Sequence, residues 1–282
     1  MTNPIADPLV ENVISDDVEA APVLLEATED GVATITIDRP HRRNAFDAET
    51  IAKLAEIFET LQGAEGVRIV FLRGNGGHFS AGADLDWMRM AADWSADDNR
   101  DDSMGMARML KALTEIPALT VALVEGSAFG GGAGLTAACD MAIASADARF
   151  AFSEVKLGLT PATISPYVVA AIGARTAKGL FATGRPFDAA YAEKIGLVQE
   201  VVADSAALDA AKDRLAREIM ACAPGAVADA KTLVDFVANR AIDNHVMEET
   251  ARRIVERRTS DEGREGVAAF LGKRKPSWTQ PA

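Results

Sequence analysis

Hydrophobic and polar positions follow two different patterns along the chain. Short apolar or alternating runs, typical of strands, recur through the first two thirds, and apolar residues spaced three or four apart, typical of helices, dominate the last third. The pattern predicts strands at 23–27, 32–38, 67–72, 119–124, 149–154 and 197–202. It predicts helices at 48–61, 104–113, 133–138, 168–172 and 174–181, a short one after Asp188, and a helical chain from Ser205 on. This order predicts an α/β fold with an α-rich C-terminal region.

The same pattern predicts three segments. Residues 1–21 lack periodicity and are expected to form a flexible leader, 22–204 the α/β core, and 205–282 a C-terminal helical region. The Asp-rich stretch 93–102 is expected to be an exposed loop or a frayed helix end. The apolar side chains after Ser205 exceed what a small helical cap needs, so the C-terminal region is expected to associate with other subunits or, alternatively, to cap its own core. They are Leu208, Leu215, Ile219, Leu233, Phe236 and Val237.

Composition narrows the function classes. The 282 residues are 49% hydrophobic, enough for a sizeable core, and carry 42 acidic against 29 basic residues for a net charge of −13. A strong negative charge argues against general nucleic-acid binding. Two cysteines, no apolar run of membrane-spanning length and a polar, acidic N-terminal sequence predict a soluble protein of a reducing compartment, most simply the cytoplasm.

The candidate chemistry is concentrated in the run 125–154. Three consecutive glycines, Gly130 to Gly132, separate a predicted buried strand from a predicted helix. Glycine allows close backbone approach, and the first N–H groups of a helix lie unpaired at the positive end of its dipole, so this junction is a candidate anion or oxyanion site. The alternative is a tight turn packed against its neighbour.

Glu154 follows the glycine run. If the strand predicted at 149–154 continues, Glu154 shares the apolar face of Phe150 and Phe152, and desolvation would raise its pKa into a range useful for proton transfer. The alternative is a carboxylate turned to solvent at the strand end. Signatures such as GxSxG, GxxxxGK[ST], HExxH and CxxC are absent, and His41, His78 and His245 lie far apart in sequence, so no metal site or triad is expected.

Five separated blocks give the sequence a family resemblance. The chain resembles the enoyl-CoA hydratase/isomerase (crotonase) family over roughly residues 23–276, and its SEVKLGLTPATISPYVV segment is most similar to the bacterial 3-methylglutaconyl-CoA or isohexenylglutaconyl-CoA hydratase branch of leucine and terpenoid catabolism. The blocks are DRPHRRNAFD, FSAGADL, GSAFGGGAGLTAACDMAIA, FSEVKLGLTP and TGRPFDAAYAEKIGLV. The resemblance implies a spiral of ββα units with two perpendicular sheets, and C-terminal helices that form a homotrimer or a hexamer built as a dimer of trimers.

The resemblance also implies roles for individual residues. The peptide N–H groups of Ala83 and Gly131 match the family's oxyanion hole for the thioester carbonyl, Gly130 flanks it, and Glu154 matches a catalytic glutamate. Loss of one donor in such a hole costs ~3–4 kcal/mol of transition-state stabilisation. The substrate is then an acyl-CoA, and no separate cofactor or metal is expected.

Contacts to coenzyme A are implied at five further positions. Arg43 and Ala45 match family contacts to the phosphates and pantetheine, and Ala81 matches the adenine pocket. Phe270 and Lys273 match C-terminal contacts that a neighbouring subunit can supply. A cationic lysine beside a phosphate is physically reasonable in spite of the acidic net charge.

One position departs from the two-carboxylate hydratases. They carry a second glutamate three residues after the oxyanion glycine, where this chain has Gly134. A glutamate there would lie on the same helix face, one turn along, and could hold water beside Glu154. Asp84, Asp86 and Ser153 are candidates to replace it, and spacing does not select among them.

Three functions therefore remain open. Hydration of a 2-enoyl-CoA, branched or glutaconyl-type, is favoured by the SEVKLGLTP block, with Gly134 making room for a branched carbon. Isomerisation between Δ3- and Δ2-enoyl-CoA needs only one base and is favoured by the carboxylate count. A protein that binds CoA thioesters with little turnover is the third.

Overall fold

The computed structural model describes residues 21–279, so all but the last residue of the predicted leader lies outside the described residues. This part of the chain forms two sheets, with helices packed around them. The strands are β1 (Val23–Ala27), β2 (Val32–Ile37), β3 (Ile69–Gly74), β4 (Leu119–Val124), β5 (Ser127–Phe129), β6 (Met141–Ser145), β7 (Arg149–Ala151), β8 (Phe187–Asp188) and β9 (Glu200–Val202).

The larger sheet has the order β1-β2-β3-β4-β6-β9. The predicted hairpin around Gly31 is confirmed, since β1 and β2 pair antiparallel with Val23 opposite Ile37. The remaining neighbours are parallel. Parallel strands need crossover connections, and these connections place the helices on the sheet.

The smaller sheet has the order β5-β7-β8, so after β4 the chain passes between the two sheets, with β5, β7 and β8 in the smaller sheet and β6 and β9 in the larger. Ring stacking of Phe150 on Phe187, with centroids 5.6 Å apart, joins β7 to β8. The α/β class and the presence of two sheets agree with the sequence analysis. The perpendicular arrangement and the spiral of repeated units stay predictions.

The helices are α1 (Ala48–Gln62), α2 (Leu85–Ala91), α3 (Ala96–Thr114), α4 (Gly131–Ala138), α5 (Ser165–Thr183), α6 (Ala189–Lys194), α7 (Ser205–Met220), α8 (Pro224–Val237), α9 (Asn244–Thr259) and α10 (Asp261–Leu271). The predicted caps hold: Asp47 accepts from Thr50 N and Asp188 from Tyr191 N. Gly173 has non-helical dihedrals inside α5, at the break predicted between 172 and 174. Within residues 21–279, no helix has the length and apolarity to cross a bilayer.

The prediction of a loop or frayed helix end at 93–102 is confirmed for 93–95 and wrong for 96–102. Ser95 caps α3 by accepting from Asp98 N, and the helix runs unbroken from Ala96. Acidic residues in a first helical turn interact favourably with the helix dipole, so the aspartates support the helix here. This matters for function because the first turns of α3 reach the candidate site.

Helix α7 packs on the larger sheet. Leu208, Ala211 and Ile219 are buried in a cluster with side chains from β3, β4 and β6. Leu208 and Ile219 therefore belong to this chain's own core, and their part in the argument for association is wrong. Within the C-terminal region, the exposed large apolar side chains lie on α8 to α10 and their connections, among them Ile242 at 87% and Phe270 at 83% exposure.

Candidate active site

The triple glycine is required by close packing. Gly130 has φ 49° and ψ −116°, and a methyl group built there would lie 3.2 Å from Glu154 Oε1. A methyl group on Gly131 would meet Phe46 and Met106 carbons at 3.0 Å, and one on Gly132 would meet the Ser80 carbonyl oxygen at 2.8 Å. The run therefore forms a tightly packed turn, and it also begins α4, as a candidate oxyanion site at a helix N-terminus requires.

Two backbone N–H groups at this junction have no acceptor among the described residues. Gly131 begins α4, and its N–H precedes the first intrahelical bond, which Gly134 N makes to the Gly130 carbonyl. Phe46 N–H donates to the Gly82 carbonyl, and Asp84 N–H donates to the Phe46 carbonyl. The N–H group of Ala83, which lies between them in sequence, takes no part in this pairing. Ala83 and Gly131 line the same cavity, as a shared oxyanion site requires.

Glu154 also lines this cavity, but not as the sequence predicted. Strand β7 ends at Ala151, and Glu154 starts a 3-10 turn (Glu154–Leu157), so the strand continuation expected through 154 is wrong. The carboxyl group is nevertheless half-buried, and its Oε2 is inaccessible and without a hydrogen-bond partner among the described residues. Burial raises the pKa of Glu154, as expected for a proton-transfer group.

The cavity has a volume of about 160 Å³ and is mostly apolar. Its polar lining residues are Glu154, Asp102, Ser103, Thr160 and Thr163, and Trp87 also lines it. We call it the acyl cavity. No Lys, Arg or His is among the described residues that line it, so its wall is acidic or neutral.

A second cleft of about 360 Å³ adjoins the acyl cavity, and Ala83 lines both. Arg43, Ala45 and Ala81, the residues matched to coenzyme A contacts, line this cleft together with His41 and Arg42. The Arg43 carbonyl accepts from Ala81 N, which fixes the two segments side by side. Arg43 makes no ion pair within 21–279, so its charge is available to a phosphate.

Asp84 and Asp86 are poor replacements for the missing carboxylate. Asp84 lines the second cleft, caps α2 by accepting from Asp86 N and Trp87 N, and pairs with Arg39 at 3.2 Å. Burial acts to raise its pKa, but these hydrogen bonds and the nearby Arg39 and Arg42 outweigh that and lower it. Asp86 pairs with Arg42 at 3.0 Å. Neither lines the acyl cavity, nor does Ser153.

Gly134 does not leave room for substrate. A methyl group built there would lie 2.2 Å from Ile164 Cγ2 and 2.7 Å from Ile164 Cβ. Ile164 is 2% exposed and forms part of the acyl cavity wall, whereas Gly134 is behind it. The expectation that Gly134 makes space for a branched carbon is therefore wrong, because Ile164 fills that space.

Asp102 and Trp87 are the site residues that the sequence analysis missed. Asp102 lies on the part of α3 predicted to be a loop, and Trp87 lies on α2, so their proximity depends on tertiary structure. Burial raises the pKa of the Asp102 carboxyl, and the nearby Trp87 indole partly opposes this. The indole Nε1 is inaccessible and lies near the Asp102 carboxyl, outside strict hydrogen-bond geometry, so it does not open onto the cavity.

Phe270 and Lys273 lie at the end of α10, away from both cavities of their own chain. Phe270 is 83% exposed, and Lys273 follows the helix with φ 52°. Neither lines the acyl cavity or the cleft. If they contact coenzyme A, a second subunit must bring them there, and that role stays a prediction.

Comparison with known proteins identifies the family that this chain resembles. The family model described as enoyl-CoA hydratase/isomerase matches residues 27–281. A Legionella pneumophila structure assigned to the enoyl-CoA hydratase/isomerase (crotonase) group is 44% identical, with a TM-score of 0.87 over 92% of this chain and 99% of that one. An enoyl-CoA hydratase of Shewanella pealeana is 38% identical, with a TM-score of 0.87 over 91% and 96%. The 1,2-epoxyphenylacetyl-CoA isomerase of Escherichia coli is 31% identical over 91% of this chain and 98% of its own.

Proposed function

Since this chain belongs to the enoyl-CoA hydratase/isomerase family, we propose that it adds water to a 2-enoyl-CoA thioester, with Glu154 as the only carboxyl group that transfers protons. The observation that carries the proposal is the placement of the Glu154 carboxyl beside Gly130, in one cavity with the unpaired N–H groups of Ala83 and Gly131. The cleft lined by Arg43, Ala45 and Ala81 would hold coenzyme A.

The proposed reaction uses Glu154 twice, first as a base and then as an acid. Water, hydrogen-bonded to Glu154, adds through its oxygen to C3 and gives a proton to the carboxylate, while the C2–C3 π electrons move to form the enolate. The thioester oxygen of that enolate accepts from Ala83 N–H and Gly131 N–H, where hydrogen bonds strengthen as charge develops. The enolate then collapses, C2 takes the proton from Glu154, and the product is a 3-hydroxyacyl-CoA.

The Glu154 carboxyl and two threonine hydroxyls of the acyl cavity support hydration by one carboxyl group. A bound water needs about three polar partners. Glu154 supplies one, and the hydroxyls of Thr160 and Thr163 line the same cavity. In this proposal, these groups form hydrogen bonds to the water in place of a glutamate at position 134.

The lining favours a neutral acyl group. Asp102 and Glu154 are acidic, and the described lining residues include no cation to pair with a distal carboxylate. A glutaconyl-type substrate would place a third carboxyl group in a partly desolvated cavity, which is costly without a partner. We therefore favour an uncharged 2-enoyl chain over the glutaconyl type.

Isomerisation between Δ3- and Δ2-enoyl-CoA is the second candidate. Ile164 occupies the space of the second carboxylate, and a single base suffices to move a proton between carbons. Incubation with crotonyl-CoA and with 3-hexenoyl-CoA, with products separated by chromatography, distinguishes the two. Turnover of 3-hexenoyl-CoA alone would overturn the hydratase proposal, and turnover of neither would leave a CoA-thioester-binding protein.

Replacement of the carboxyl group tests the mechanism. Glu154→Gln should lower kcat by ~10²–10⁴-fold with little change in CoA-ester binding, because a positioned acid/base is lost. Glu193→Gln, an exposed change on α6, is the matched control. In the native protein kcat/KM should fall as pH drops through a pKa above the ordinary glutamate value of 4.5, because burial raises the pKa of Glu154 and the base acts ionised. Unchanged turnover in Glu154→Gln would remove it from the mechanism.

A further inference from the structure

A buried asparagine joins the segment beside the cleft to the segment that carries the Ala83 N–H. Asn44 is 0% exposed and has φ 57°, a left-handed conformation that asparagine adopts more readily than most residues. Its side-chain oxygen accepts from Arg39 N at 2.9 Å, and its Nδ2 donates to the carbonyls of Asn75 at 2.8 Å and His78 at 2.6 Å. All three partners are backbone groups, so the side chain holds the two segments in a fixed relation.

The two segments also pair through their backbones on both sides of Ala83. The bonds from Phe46 N to the Gly82 carbonyl and from Asp84 N to the Phe46 carbonyl are both 2.7 Å long, and they make Phe46 and Ala83 a parallel β-bridge. In this pattern the Ala83 N–H faces away from Phe46, and Ala83 lines the acyl cavity together with Gly131. The direction of the Ala83 N–H therefore depends on how the two segments are held together.

Arg39 links Asn44 to the residue that follows Ala83. The Asn44 side chain holds the Arg39 backbone N–H, and the Arg39 guanidinium pairs with Asp84 at 3.2 Å. The side chains of this pair are 15% and 5% exposed, so solvent ions screen it less than a surface pair. The segment that carries Ala83 is thus held at its start by the His78 carbonyl and at its end by Asp84. Asn44 takes part in both connections.

We propose that Asn44 is a positioning residue that fixes the direction of the Ala83 N–H toward the thioester oxygen. Asn44 lines neither the acyl cavity nor the cleft, so it acts through the backbone and not on the substrate. A hydrogen bond weakens steeply as its angle is lost, so a small rotation of the Ala83 peptide would reduce enolate stabilisation while Gly131 and Glu154 stay in place. This inference rests on the proposed function for the use of the oxyanion pair, and it adds the residue that holds one of the two donors.

Two variants of Asn44 test this role with crotonyl-CoA. Asn44→Gly keeps the left-handed backbone and removes the side-chain bonds, and Asn44→Asp keeps the shape but, when ionised, cannot donate to the two carbonyls. Each should lower kcat about 10–100-fold and change KM by less than about threefold, because the substrate contacts remain while the oxyanion geometry is lost. The control Thr120→Val also removes a buried hydroxyl that joins two segments, here β4 and Asp140, and should leave kcat unchanged.

Acetoacetyl-CoA gives a readout that a loss of stability alone does not move. Hydration does not consume this β-ketoacyl thioester, and its enolate, which absorbs in the near ultraviolet, carries charge on the thioester oxygen as the proposed intermediate does. The ratio of enolate to keto form should be higher in the wild-type complex than in free solution, and about tenfold lower in both Asn44 variants than in the wild type. Arg39→Gln, a change of a partly exposed side chain, removes the guanidinium connection to Asp84 and should lower the ratio by a smaller factor.

Two results would overturn the role of Asn44. The first is a wild-type ratio of enolate to keto form in both Asn44 variants, or in Arg39→Gln if neither Asn44 variant folds, because the Ala83 N–H would then not depend on these connections. The second is a rise in KM with unchanged kcat, which would mean that Asn44 supports only the cleft. Because acetoacetyl-CoA is not hydrated, a failure to hydrate crotonyl-CoA would refute the proposed function, and the enolate ratio would still measure the role of Asn44.

Discussion

The contact between Gly134 and Ile164 predicts opposite effects for one substitution at two glycines. Gly134→Ala would place a methyl group 2.2 Å from Ile164 Cγ2, so Ile164 or α4 must move. Overpacking of this kind costs ~1–3 kcal/mol, and the better helix propensity of alanine returns about 1 kcal/mol. We expect a net loss of up to about 2 kcal/mol, which lowers Tm by up to roughly 8 °C in a protein of this size.

Gly179→Ala is the matched control. Gly179 is an exposed position in α5, and a methyl group there would have no neighbour within 4 Å. Only the propensity gain remains, so this variant should be more stable than the wild type by up to about 1 kcal/mol. Thermal unfolding followed by circular dichroism measures both variants under one condition.

A double-mutant cycle identifies Ile164 as the cause. Ile164→Ala alone should cost about 2–5 kcal/mol by leaving a cavity. Combined with Gly134→Ala, the loss should be smaller than the sum, by ~0.5–3 kcal/mol, because the truncated side chain relieves the clash. If Gly134→Ala melts at or above the wild-type temperature, or if the two effects simply add, Ile164 does not exclude a side chain from position 134.

Two predictions concern coenzyme A and assembly. Arg43→Ala should raise KM for crotonyl-CoA by about tenfold, because it removes an unpaired charge from the cleft, and this effect should shrink at high salt. The control Lys194→Ala, an exposed change on α6, should leave KM unchanged. Equal KM values in the two variants would exclude a phosphate contact by Arg43. The exposed apolar residues of α8 to α10 should be covered by neighbouring subunits in a trimer or hexamer. Sedimentation that shows a monomer at micromolar concentration would contradict this assembly and, with it, the cross-subunit contacts of Phe270 and Lys273.

Sequence patterns located the regular elements that carry strong local signals. The hairpin of β1 and β2, the Asp47 cap and the break at Gly173 each depend on residues close in sequence. Strands β5 and β8 are too short for a periodic signal, and β6 was hidden within an alanine-rich run. Aspartates in the first turn made α3 resemble a loop, although the Ser95 cap and the helix dipole favour the helix.

The candidate site was predictable only where the backbone supplies the chemistry. The glycine run and the resemblance located the N–H groups of Ala83 and Gly131, because such positions depend on local conformation. Glu154 was found for a partly wrong reason, since a 3-10 turn, not a continuing strand, carries it into the cavity. Asp102 and Ile164 could not be found, because their roles depend on how α3 and the start of α5 pack against α4.

The two ends of the acyl cavity are controlled by different parts of the sequence. At the reaction end, glycines 130 to 132 pack so closely that an added carbon would approach neighbouring atoms to 3.2 Å or less, so this end tolerates little change. At the far end, Trp87 and Asp102 are side chains on α2 and α3, and nothing in the oxyanion geometry depends on their identity. Substitutions there can alter the acyl group that is accepted while the N–H groups and Glu154 stay in place. Trp87→Phe is therefore expected to change which acyl chain lengths are accepted, and kcat/KM for 2-enoyl-CoA thioesters of increasing length, compared with the wild type, is the measurement that reports on it.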